Sequence, residues 1–295
     1  MSTQQKTRRG FIAAASGAVS LLSPIGRALA ADAPPGNRVV CVSKQMNEFI
    51  YAIGAESHLV ARDLTSIYPK EILKLPNVGY HRALSAEGIV SMRPSVLLTD
   101  GNVGPNEVLE RVRSVGVPIV TMAPGDTLEG AQALMIRLGD YFGRRQAAAE
   151  VVAKWKAGLA AITANAARWN GTKKPRVLMM HMGQIAGNYL GISRGSPGDQ
   201  VIAWSGGENA MDKEGGMTRL TPELISKSAP DVIIATDVGY DRYGSAAKFA
   251  TLPGVGLTPA GKSRRIYRVD ETEIMYFGPR TAASVKKITQ WLHPA

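Results

Sequence analysis

The segment LSAEGIVSMRPSVLL, residues 84–98, returns as LTPELISKSAPDVII at residues 220–234, an offset of 136 positions. Each copy sets a hydroxyl residue, Ser85 or Thr221, ahead of a short helical pattern, the chemistry of an N-cap. Each then meets a proline, Pro94 or Pro230, and continues into an apolar run of strand type. The runs that begin Arg38-Val39-Val40 and Arg176-Val177-Leu178 are related by the similar offset of 138. Two nearly equal offsets predict two lobes built on one plan.

Working outward, strand-like runs at 38–43, 58–63, 95–100 and 117–122 alternate with helical patterns at 46–54, 85–92 and 105–115. The second half repeats the scheme with strand candidates at 176–181, 231–236 and 265–269. Alternation of this kind argues for an α/β fold with mainly parallel sheets, here in two similar lobes. Between the lobes, residues 147–167 lack proline, and Val151, Trp155, Leu159 and Ile162 fall on one helical stripe. The expected organisation is an N-terminal lobe at 31–143, one long linking helix at 144–168 and a C-terminal lobe at 169–295.

Residues 1–30 read differently. Arg8-Arg9 precedes a modestly apolar stretch, Ala13 to Leu22, and Ala28-Leu29-Ala30 supplies the small residues of a cleavage site. This is the pattern of a twin-arginine signal peptide, too short in its apolar part to span a bilayer. The expectation is a periplasmic protein, cleaved near Ala30 and without stable membrane insertion. Cleavage there removes Lys6, Arg8, Arg9 and Arg27 and no acid, so the net charge falls from +11 to +7. The remaining basic residues are scattered and form no groove-reading motif, which argues against nucleic acid as a partner. Cys41 is the single cysteine, within an apolar run, so no internal disulfide can form. Neither a GxSxG elbow nor an HExxH segment occurs, so no enzyme is indicated.

The chemistry concentrates in LPNVGYHRALSAEG, residues 75–88, preceded by DLTSIYP at 63–69. A phenol, ordinarily with a pKa of about 10, becomes a good ligand for ferric iron only as phenolate. A cation a few ångströms away lowers such a pKa by roughly 1–3 units, and iron supplies the remainder. If residues 79–82 are extended, alternation sets Arg82 beside Tyr80 and turns His81 away.

These two segments resemble the haem-binding proteins that serve ABC importers in the bacterial periplasm, where the tyrosine of a GYxR segment ligates the iron. The resemblance implies Tyr80 as the metal ligand and Arg82 as its companion. It extends to the glycine-rich loop Gly191–Asp199, the Gly206–Asn209 turn, residues 252–261 and residues 277–281, and so over nearly the whole of the chain after residue 30. It also implies a ligand cleft between the two lobes, and the shared helical backbone and small closure of such binding proteins.

Further candidates follow. His181 ends a strand of the second lobe, where parallel sheets collect ligands. It is a candidate second iron ligand, with a surface-bonded histidine as the alternative. Arg194, in the glycine-rich loop, and Arg280 are candidates for the haem propionates, although Arg280 would equally brace the last helix. Glu87 and Glu223 occupy matching helix starts, where the helix dipole favours a carboxylate. In the resembled family such glutamates dock on a dimeric ABC permease with its ATPase, and an outer-membrane haem receptor system stands upstream. A binding protein for a ferric siderophore or cobalamin is the second reading, and an exported enzyme the third.

Overall fold

The computed structural model describes residues 38–123, 127–166, 169, 173–182 and 187–294. The expected signal peptide lies outside these residues. The first lobe opens with β1 (Val39–Val42), α1 (Lys44–Ala52) and β2 (Leu59–Arg62). A small hairpin follows, β3 (Gly79–Tyr80) and β4 (Ala83–Leu84), then α2 (Ala86–Ser91), β5 (Val96–Thr99), α3 (Asn106–Ser114), β6 (Ile119–Thr121) and α4 (Leu128–Tyr141). Its four-stranded sheet runs β2-β1-β5-β6 with every pair parallel.

After α5 (Arg145–Ala166) the second lobe comprises β7 (Arg176–Met182), β8 (Tyr189–Ile192), α6 (Pro197–Trp204), β9 (Glu208–Asn209), β10 (Met217–Arg219) and α7 (Pro222–Ser228). It continues with β11 (Val232–Thr236), α8 (Asp237–Tyr243), α9 (Ala246–Phe249), α10 (Pro259–Ser263), β12 (Ile266–Val269), α11 (Thr272–Met275) and α12 (Thr281–Leu292). Its sheet runs β10-β8-β7-β11-β12, with β9 also paired to β7. The β7-β11-β12 part is parallel, and β8 is antiparallel to both of its neighbours. Gly191, expected in a loop, is therefore a strand residue. A Cβ there would come within 3.0 Å of Leu220 and 3.1 Å of Met211, so its lack of a side chain serves close packing.

The internal repeat holds to the register. Val39 lies opposite Val96 in the first sheet, and Val177 opposite Val232 in the second. Ser85 and Thr221 cap α2 and α7 by accepting from the amides of Gly88 and Leu224. Before the matching prolines, Arg93 and Ala229 both adopt positive φ, 48° and 43°, uncommon for residues with a side chain. Two such coincidences at one offset show that the lobes share a plan.

Strands buried on both faces account for the near-continuous apolar runs. In β1, Val39 and Cys41 face one core cluster, and Val40 and Val42 face another. In β7, Leu178, Met180 and Met182 are on one side, with Val177 and Met179 on the other. Burial pushes the Cys41 thiol well above its ordinary pKa, so it acts as a small apolar group.

Helix α5 has 22 residues and is about 33 Å long. Ala148, Val152, Trp155 and Leu159 are buried in the first-lobe core, and Ile162 packs against a core cluster of the second lobe. Val151, at the start of the expected stripe, is only half-buried; Val152 takes the deeper position. The lobes also share core directly, because Phe277 is buried in the first-lobe cluster and packs against Trp204.

Polar contacts complete this junction. Glu48 on α1, 4% exposed, takes two hydrogen bonds from the Arg280 guanidinium, at 2.9 and 2.8 Å, and a third from the Tyr276 hydroxyl at 3.0 Å. Burial, then the Glu48 charge, raises the Tyr276 pKa, so the phenol keeps the proton it donates. Arg280 Cζ also lies 3.6 Å from the centroid of the Tyr68 ring. Without Glu48 the largely buried Arg280 guanidinium keeps only the longer, 3.9 Å approaches of the Asp270 and Glu273 carboxylates. Glu48→Ala is therefore expected to cost about 3 kcal/mol, measured as a lower midpoint in urea unfolding.

Candidate functional site

The parallel strands of both lobes end towards a common floor. Lys44, just after β1, contacts Glu271, just after β12, and Glu271 Oε2 lies 3.8 Å from His181 Nδ1 near the end of β7. This is the position at which open α/β sheets bind ligands. Burial holds the His181 imidazole below its ordinary pKa; Glu271 works against this and Lys44 with it. Its Nδ1 is buried and makes no hydrogen bond among the described residues. A neutral imidazole of this kind can ligate a metal.

Tyr80 lies on the hairpin that follows β2 in the first lobe. The segment entering the hairpin runs beside the end of β2: Val78 N donates to Arg62 O, and Leu64 N donates to Gly79 O. The amide of Gly104, beyond β5, fixes the hairpin tip by donating to His81 O. Tyr80 is paired with Ala83, so His81 and Arg82 form the two-residue turn. The expected extended stretch over 79–82 is thus corrected. Turn geometry replaces alternation, and the His81 ring comes to 4.4 Å from the Tyr80 ring, centroid to centroid. Arg82 is exposed and donates from Nε to Asn102 Oδ1 at 3.0 Å.

The phenol is 41% exposed, and Leu64 and Ile67, from the preceding loop, are 48% and 39% exposed. Beneath them Asp63 is wholly buried and accepts hydrogen bonds from the Thr65 amide, the Thr65 hydroxyl and the Ser66 hydroxyl. His81 Nδ1 lies 3.7 Å from Asp63 Oδ2. Burial alone would raise the Asp63 pKa; the donors, His81 first, outweigh it and hold the carboxyl below its ordinary range.

The other candidates do not gather there. Arg194 lies towards the amino end of β7, where it donates to Met211 O and pairs with Asp212 and, at 3.9 Å, Glu208. Because β8 is antiparallel to β7, the chain reaches Arg194 while moving away from His181, a separation of roughly four residues or 13 Å along the sheet. Arg194, expected to meet a propionate, therefore lies away from His181 along the sheet. Arg280 is engaged by Glu48, Thr272 and Tyr68 at the lobe junction. Glu87 and Glu223 are exposed at the starts of α2 and α7. Both carboxyls are held below the ordinary range by helix-start amides and by the Ser85 or Thr221 hydroxyl. No cluster of three or more His, Cys, Asp or Glu side chains able to hold a metal ion occurs among the described residues. Nor does any described helix have the length and apolarity to cross a membrane.

This geometry is that of a binding cleft between paired α/β lobes. The chain belongs to the periplasmic binding protein family, whose model matches residues 39–273; it is a substrate-binding protein and not an enzyme. Its structure is similar to the periplasmic heme-binding protein RhuT from Roseiflexus sp. RS-1 in apo form. That likeness has 31% identity and a TM-score of 0.78, covering 86% of this chain and 97% of the other. It is also similar to the periplasmic heme-binding protein BhuT in complex with two hemes, at 30% identity and a TM-score of 0.76, with the same coverage. A vitamin B12-binding protein of Vibrio campbellii is 22% identical over 225 residues, 75% of this chain and 79% of the relative.

Asp63 allows a test of the site's electrostatics. Its folded-state pKa is depressed, so its contribution is present above the unfolded value of about 3.9 and is lost as pH falls through the lower folded value. Asp63→Asn is expected to lower stability at pH 7 and to make its decline below about pH 4 shallower, read from urea unfolding across pH 2–7 (roughly that window).

Proposed function

We propose that this protein captures haem in the cleft through Tyr80 and passes it to an ABC importer. The observation that carries the reading is the Tyr80 phenol, exposed at the carboxyl edge of the first lobe beside Leu64 and Ile67. Such an edge offers the porphyrin an apolar face and its ferric iron a hard oxygen ligand. Arg82, in the same turn, supplies a cation for the phenolate or for a propionate. His181 serves as the second iron ligand from the opposite lobe, its imidazole kept neutral by burial.

Twin-arginine export with cleavage near Ala30 would deliver the protein to the periplasm, downstream of an outer-membrane haem receptor. Glu87 and Glu223, at equivalent starts of α2 and α7, form a pseudo-twofold pair of carboxylates matched to a twofold permease. Cobalamin is the second reading, favoured by the vitamin B12-binding relative.

Titration with haemin and, separately, cobalamin decides between the two. Haemin is expected to give a Soret band of ferric tyrosinate type. Tyr80→Ala is expected to weaken binding by more than the roughly 10–100-fold typical of losing an outer-shell partner. Saturable cobalamin binding with no specific haemin spectrum would overturn the haem reading. Glu87→Gln combined with Glu223→Gln is expected to leave haemin affinity intact and to reduce stimulation of the importer's ATPase; full stimulation would remove the docking role.

A further inference from the structure

The turn residue His81 has a contact that sequence alternation did not foresee. Its ring lies 4.4 Å from the Tyr80 ring at an interplanar angle of 58°. On its other side Nδ1 faces the Asp63 carboxylate at 3.7 Å. The His81 side chain is 16% exposed and that of Asp63 is not exposed at all. Asp63 is in turn fixed. It accepts from the Thr65 amide and from the hydroxyls of Thr65 and Ser66, and Ser66 Oγ accepts from Asn47 Nδ2 on α1 at 2.8 Å. Asn47 is itself buried and donates to Cys41 O in β1 at 3.0 Å.

A continuous polar chain therefore runs from β1, through Asn47, Ser66 and Asp63, to the imidazole beside the phenol. An exposed tyrosine on a two-residue hairpin would otherwise sample several rotamers, and fixing one carries an entropic cost. A ligand held by outer-shell partners meets the metal already oriented.

From this juxtaposition we infer that the Asp63–His81 pair is a positioning device for the Tyr80 phenol, with the imidazole ring acting as a rigid backstop that aims the oxygen into the cleft. The inference rests on the reading of Tyr80 as iron ligand. His81 itself touches the ligand side chain rather than the iron. The backbone bond from Gly104 N to His81 O holds the hairpin tip independently of the imidazole, so removing the ring spares the local fold.

The test compares wild type with His81→Ala, Asp63→Asn and Tyr80→Ala, each loaded with haemin. The readouts are the phenolate-to-iron charge-transfer band, the resonance Raman phenolate modes and the rate of haem loss to excess apomyoglobin. His81→Ala is expected to retain a tyrosinate spectrum with broadened, shifted phenolate bands, and to release haem about 10-fold faster. Asp63→Asn should move the same bands in the same direction. If Asp63→Asn does not fold, His81→Ala alone decides.

An unchanged charge-transfer band and release rate in His81→Ala overturn the inference, even if the variant melts earlier, because a mere hairpin anchor would affect melting alone. Loss of the haem spectrum in His81→Ala but not in Tyr80→Ala would make His81 the ligand and overturn both readings. Loss in Tyr80→Ala with an unaffected His81→Ala leaves Tyr80 as ligand and removes only the backstop.

Discussion

A buried carboxylate of one lobe meeting a guanidinium of the other is the contact on which the geometry of the cleft depends. Glu48 sits on the helix that follows the first strand, and Arg280 begins the last helix. Their pairing brings the carboxyl ends of two sheets to one floor. The pair is retained in a setting where apolar packing could have served equally well energetically. Its directionality distinguishes it: two hydrogen bonds from one planar group specify an angle between the lobes, which contact between Phe277 and its neighbours does not. Helix α5 adds a second link, with four side chains buried in the first-lobe core and Ile162 packed against the second.

On this frame the two lobes contribute unequally. The first lobe offers the exposed phenol, two exposed aliphatic side chains and an arginine, all on the loop and hairpin after β2. The second offers a recessed imidazole already in contact with Glu271 and, through it, with Lys44 of the first lobe. On the proposed reading, capture begins on the exposed edge, and His181 is held among side chains that also join the lobes. With haem as the proposed cargo, the iron arrives with it, so the chain need provide only one or two ligands.

Much of this was legible in the sequence because the repeat carries periodicity, caps and proline breaks together. Ser85 and Thr221, Pro94 and Pro230, and Val96 and Val232 each specify a local structure, and the register follows from them. The antiparallel β8 and β10 were not legible: Gly191 reads as a loop glycine until its close approach to Leu220 and Met211 is known. The Tyr80 segment shows the opposite failure. Four residues do not reveal whether they are extended or turning, and a turn at His81 and Arg82 exchanges which neighbour faces the phenol. Long-range partners such as Glu48 for Arg280, or Asp63 for His81, leave no trace in local pattern, so sequence could leave only alternatives for Arg280.

The central claim is the bond between the Tyr80 oxygen and ferric iron. A crystal structure of the haemin-loaded protein tests it most directly: the account requires the porphyrin between the lobes with its iron bonded to the phenolate of Tyr80. Iron ligated elsewhere, or a porphyrin outside the cleft, would contradict it.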